Sequence, residues 1–104
     1  MGIYGGGCTV DKLDQTHIDE RLAKRPDWSQ VGDSISRTYQ FDDFGSAMGF
    51  VNKVADAAEA MQHHPDILIR YNKVTLTLST HDANGITDKD FSLAGKSDEI
   101  ASTF

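Results

Sequence analysis

Residues 43–78 read DFGSAMGFVNKVADAAEAMQHHPDILIRYNKVTLTL, and the rest of the chain can be placed around this stretch. Phe44, Ala47, Met48, Val51, Val54, Ala55, Ala58 and Met61 recur at three- and four-residue steps. Asn52, Lys53, Asp56, Glu59 and Gln62 fall between them. This is the pattern of an amphipathic helix over residues 43–62, about 30 Å long at 1.5 Å per residue. Gly45 and Gly49 weaken it locally, by up to about 1 kcal/mol each relative to alanine, and permit a close backbone approach. Pro65 ends the helix and turns His64 from α geometry toward an extended conformation. The period then changes from four to two. Ile67, Ile69 and Tyr71 alternate with Leu68 and Arg70; Val74, Leu76 and Leu78 alternate with Thr75, Thr77 and Ser79. A turn near Asn72 makes these two segments a hairpin.

Upstream, Ile35, Arg37, Tyr39 and Phe41 alternate with Ser36, Thr38 and Gln40, the signature of a half-buried strand. Trp28 opens a shorter strand that ends at the turn signal Val31-Gly32-Asp33. Thr16-His17-Ile18-Asp19 has capping-box spacing, with Thr16 as N-cap. Ile18 and Leu22 share the face of a first helix that Pro26 stops near Arg25. Downstream, Asn84-Gly85 marks a turn. Thr87 to Asp90 repeats the capping-box spacing and opens a last helix with Phe91, Leu93, Ala94 and Ile100. The order is α-β-β-α-β-β-α. Paired antiparallel strands with helices gathered on one face give an α+β fold. Glycine-rich residues 1–10 carry no periodicity and read as a flexible leader, leaving 11–104 as a single domain.

Composition narrows the function. Sixteen acids against ten bases give a formal charge of −6, the wrong sign for a surface that tracks phosphates, which disfavours nucleic-acid binding. No apolar run approaches the roughly 20 residues needed to span a bilayer. The start, Met1-Gly2-Ile3-Tyr4-Gly5-Gly6-Gly7, has neither a secretory layout nor a myristoylation pattern. The single Cys8 cannot form a disulfide within the chain, which fits a reducing compartment. A cytoplasmic protein is expected, with the nucleus as the alternative.

Three of the four histidines stand at the ends of elements. His63 and His64 close the long helix, and His81 closes the last strand. If the helix crosses the sheet, these ends meet at one rim. Imidazole both donates and accepts protons near neutral pH, which suits general acid–base chemistry. Each residue also has a plainer use. A His-His pair can cap a helix C-terminus, His81 can be a solvated strand end, and Asp90 can serve its capping box. Glu59 fits the wet face of its helix, and His17 the protein surface. Three histidines could also hold zinc with an open position for water. Against that, adjacent side chains such as those of His63 and His64 diverge unless the backbone bends between them.

Glu59, His63-His64-Pro65, Tyr71, His81 and Asp90, at these intervals, resemble the signature of the pterin-4a-carbinolamine dehydratases. The flanks agree: Phe41, Phe44, Ala47, Phe50, Val54-Ala55, Asn72-Lys73-Val74, Leu78-Ser79-Thr80-His81, Gly85-Ile86-Thr87 and Leu93-Ala94. The likeness runs from about Trp28 to Ala94, with a weaker match through the first helix. It implies a four-stranded antiparallel sheet with three helices on one face. It implies dehydration of 4a-hydroxytetrahydropterin, left by aromatic amino acid hydroxylases, to the quinonoid dihydropterin, with no metal and no organic cofactor. On this resemblance His63, His64 and His81 form the acid–base set, and Asp90 orients or charge-stabilises a histidine, expected to be His81. Gln62, His63, His64, Ser79, Thr80, His81 and Asp82 contact the pterin ring. The resemblance also implies homodimers or homotetramers. For some members it implies a second role, as dimerisation partner of a homeodomain transcription factor through helix–helix contacts.

Overall fold

A computed structural model of the chain describes residues 12–104; the expected leader, residues 1–10, lies outside the described residues. The elements follow the expected order: α1 (Gln15–Ala23), β1 (Ser29–Val31), β2 (Ser34–Gln40), α2 (Phe44–Met61), β3 (Asp66–Arg70), β4 (Lys73–Leu78) and α3 (Asp88–Ala101). The strands form one antiparallel sheet in the order β1-β2-β4-β3. No helix among the described residues is long and apolar enough to cross a membrane.

The two-residue period sets the register. Ile35 lies opposite Leu78 and Tyr39 opposite Val74, all four buried on the helix-covered face. The intervening Ser36–Thr77 and Thr38–Thr75 pairs lie on the other face, and the second shares a 2.7 Å hydroxyl contact. Such cross-strand pairs contribute roughly 0.2–1 kcal/mol each. Gly32, at φ 58°, supplies the left-handed residue of the β1–β2 turn.

The buried stripe of α2 is Ala47, Phe50, Val54 and Ala58. It is narrower than the sequence pattern suggests: Phe44 and Ala55 stay exposed, and Phe50 takes the centre. At Gly49 an added Cβ would come within 2.9 Å of the Phe104 ring, so the close approach that glycine permits here is to the end of α3's tail. At the first helix the capping expectation is displaced by two residues. Asp14, not Thr16, is the N-cap; its carboxylate accepts from the His17 N–H at 2.9 Å. The preceding Leu13 N–H is tied to the Ile86 carbonyl at 2.8 Å, so the chain is already anchored before Thr16 is reached. These His17 contacts hold the Asp14 carboxyl below the usual carboxylate range.

Arg37 alternates with core residues, and its inward position is answered by Asp98 of α3. One Asp98 oxygen accepts from Arg37 Nη1 at 2.7 Å and from the Tyr39 hydroxyl; the other accepts from Arg25 Nη1 and Trp28 Nε1, both at 3.1 Å. Burial, and then the bond to Asp98, push the Tyr39 phenol above its ordinary range. Gly95 leaves room for Arg25 to reach across α3, since a Cβ there would lie 2.4 Å from its guanidinium. A cleft of about 350 Å³ opens beside this cluster, between Phe41, Ser46 and Phe104. Two of its charged groups, Arg37 and Asp98, are paired with each other.

Ser97 is fully buried and its Oγ has no partner among the described residues. An unsatisfied buried hydroxyl destabilises by about 1–3 kcal/mol. Ser97→Ala is therefore expected to raise stability by about 1 kcal/mol, read as a higher urea midpoint at unchanged slope. A lower midpoint would mean that the hydroxyl is paired in solution.

Candidate active site

The site begins with how α2 ends. Gln62 takes the left-handed conformation, at φ 53° and ψ 42°. Its N–H bonds the Glu59 carbonyl at 3.2 Å, and the His63 N–H bonds the Ala58 carbonyl at 3.0 Å. These two bonds are the Schellman arrangement, which satisfies terminal carbonyls while reversing the chain. The helix therefore stops at Met61, four positions short of Pro65. A non-glycine residue in this conformation costs about 1–2 kcal/mol, and the reversal is what the rest of the fold holds in place.

The reversal sends the two histidines apart. His63 folds inward and is 8% exposed, whereas His64 is exposed. His63 Nε2 lies 2.5 Å from Oδ1 of Asp90, a carboxylate with no exposed surface. His64 Nε2 meets the Glu59 carboxylate one turn back along α2. The family resemblance gives His81 as the expected partner of Asp90; the structure corrects this to His63, because the Schellman turn brings residue 63 back against the start of α3.

Asp90 arrives there through its capping box. The Thr87 hydroxyl caps α3 by accepting from the Lys89 N–H at 3.2 Å, and Asp90 Oδ2 accepts from the Thr87 N–H at 2.9 Å. The bland use of Asp90 and its contact with a histidine are thus one arrangement, with one oxygen for each. Oδ2 also accepts from Thr80 Oγ1 at 2.9 Å. Asp90 consequently ties the end of α2, through His63, to the segment that follows β4, through Thr80.

His81 comes directly after Thr80 and starts a short 3₁₀ turn over His81–Ala83; it is exposed, as are Ser79 and Asp82. Gln62 is exposed at the α2 end. Among the expected ring contacts Thr80 differs. It is 7% exposed, its hydroxyl faces Asp90 and Thr87, and its N–H and carbonyl bond Gly85. It stands behind the surface that Ser79, His81 and Asp82 present. No three His, Cys, Asp or Glu side chains among the described residues are arranged to hold a metal ion. The divergence of His63 and His64, each engaged with its own carboxylate, accounts for that.

The family model described as "Pterin 4 alpha carbinolamine dehydratase" matches residues 11–100. The chain belongs to the pterin-4a-carbinolamine dehydratase family. A Chloroflexus aurantiacus protein, named provisionally as a pterin-4-alpha-carbinolamine dehydratase, is 54% identical over 88% of this chain and 98% of its own. A Picosynechococcus protein of the same provisional name is 51% identical over 86% of this chain and 97% of its own. The fold also superposes on a crystal structure from Brucella melitensis described as a transcriptional coactivator/pterin dehydratase. The TM-score is 0.85 at 36% identity, covering 88% of this chain and 99% of that one.

Within this dehydratase-family domain, two site partners escape a reading of the sequence. Thr87 is legible as a helix cap but not as a hydroxyl facing Thr80 at 2.7 Å. Glu59 falls on the wet face of α2 as expected, and only the reversal at Gln62 brings His64 back to it.

Proposed function

We propose that this chain dehydrates a 4a-hydroxytetrahydropterin to the quinonoid dihydropterin by histidine general acid–base catalysis, so recycling the pterin cofactor of aromatic amino acid hydroxylases. One observation carries the reading: the buried Asp90 carboxylate joins His63 to the segment bearing His81, within a domain matched to the dehydratase family. The chemistry needs two proton movements. The departing hydroxyl must gain a proton, while the neighbouring ring nitrogen loses one so that its lone pair can expel water. His64, with a carboxylate on Nε2 and an exposed ring, is suited to supply the first. His63, with Nε2 committed to Asp90, has Nδ1 left to accept the second. His81 completes the set from the opposite segment. Asp90 acts through His63 and is a positioning residue. Gln62, Ser79 and Asp82 line the exposed rim as contacts to the ring. The residues ask for no metal and no organic cofactor.

The test is dehydration of the 4a-carbinolamine by the purified protein, followed with His64→Ala. Turnover is expected to fall at least about 10²-fold, the lower end of general acid–base assistance, with an unchanged circular dichroism spectrum. Near-normal turnover in the folded variant would remove His64 from the chemistry.

A second reading is supported by the coactivator wording attached to the Brucella structure. This chain exposes Val31, Leu68 and Tyr71, apolar surface of the kind a protein partner covers. The same exposed residues, with the free edge of β3, support assembly as a homodimer or homotetramer. Tight binding of a helical partner by a chain that leaves the dehydration rate unaltered would favour the coactivator role.

A further inference from the structure

The hydrogen bonds behind His63 have a direction. A threonine hydroxyl carries one proton. Thr80 must give its proton to Asp90, because a carboxylate oxygen only accepts. Its contact with Thr87 Oγ1, at 2.7 Å, is then one in which Thr87 donates. Thr87 Oγ1 accepts in turn from the Lys89 N–H. The order is therefore Lys89 N–H to Thr87, Thr87 to Thr80, and Thr80 to Asp90 Oδ2, where the Thr87 N–H also arrives. Oδ2 already faces two hydrogens and has no room for a third. Any proton shared by Asp90 and His63 must lie in the Oδ1···Nε2 bond, and donors that support the anion keep it on the nitrogen.

We propose that Thr80, backed by Thr87, is a positioning residue. Its hydroxyl fixes the rotation of Asp90 and the direction of the bonds around it, so that His63 keeps a proton on Nε2 and presents a bare Nδ1 to the substrate. Thr80 thereby acts two bonds away from the reaction, with its side chain turned from the surface. The consequence for turnover rests on the dehydratase reading; the consequence for the imidazole does not.

The experiment compares the full chain with Thr80→Val and Thr80→Ser by ¹⁵N NMR of the histidine side chains, alongside steady-state dehydration. In the unaltered protein His63 should show a protonated Nε2 and an unprotonated Nδ1. Thr80→Val should lose that single form, giving mixed or averaged signals. Its kcat should fall about 10-fold, the lower end of the 10- to 100-fold lost when the direct partner of a ligating imidazole is removed, since Thr80 stands one bond further back, with KM within about threefold. Thr80→Ser restores the hydroxyl and should restore both readouts. A proton on Nδ1 in the unaltered protein overturns the proposal on its own, even if the valine variant does not fold. So does a folded Thr80→Val with unchanged His63 signals, or a Thr80→Ser that behaves like valine. If the unaltered protein shows no dehydration at all, the dehydratase reading fails while the NMR comparison still decides the role of Thr80.

Discussion

Asp90→Asn is expected to lower dehydration by about 10³-fold while leaving the fold intact. The asparagine oxygen can take the place of Oδ2, accepting from Thr80 and Thr87, so the α3 cap survives. The amide NH₂ must then occupy the position of Oδ1 and point at His63 Nε2. A donor there requires an acceptor, so the imidazole proton moves to Nδ1 and the reactive nitrogen is blocked. Inverting the tautomer of a catalytic imidazole by the same exchange costs about 10⁴-fold in the serine protease triad. The lower figure allows for the second and third histidines here. The variant should be measured for kcat and for thermal midpoint together. A folded Asp90→Asn with turnover within about threefold of the parent would show that the state of His63 has no part in the reaction.

Asp98→Ala is expected to cost about 3 kcal/mol of stability, because the Arg25 guanidinium, an indole N–H and a phenol lose their shared carboxylate and Arg37 keeps only its 3.5 Å pairing with Asp27. For a domain of this size that is roughly 15 °C in thermal midpoint. The carboxylate is 20% exposed, which keeps the estimate at the lower end for a broken buried pair. Asp98→Asn separates charge from hydrogen bonding, since the amide keeps one acceptor oxygen. It should fall between the parent and the alanine variant in a urea titration. A loss below about 1 kcal/mol for Asp98→Ala would reduce the cluster to the worth of a surface ion pair. Because Asp98 stands about two turns, roughly 12 Å, further along α3 than Asp90, turnover per folded molecule should hold.

What the sequence discloses and what it conceals follow from how local each feature is. The helix of residues 44–61, the strands around Tyr39 and Leu76, and the Thr87–Asp90 cap depend on neighbours within a few positions, and each is visible as a period or a spacing. The Asp14 cap is hidden behind the capping-box spacing of Thr16, and the bond that anchors the chain ahead of it comes from Ile86, far along the chain. At the candidate site, His63, His64, His81 and Asp90 stand out in the sequence as candidates, but which histidine Asp90 meets does not. That depends on one left-handed residue, Gln62, in a position where glycine is the usual signal. Thr80 looks like any polar residue beside a histidine until the register of the following loop turns it inward. Asp98 has a signal in the sequence: Arg37, in step with Ile35 and Tyr39, needs an acid on the covering layer.

The reversal at Gln62 also separates the two adjacent imidazoles by their access to bulk solvent. His64 holds its ring where any solute can reach it, while His63, 8% exposed, offers only a sliver of its own. A repeated letter in the sequence has become two unlike surroundings, one open to the medium and one walled in by its neighbours.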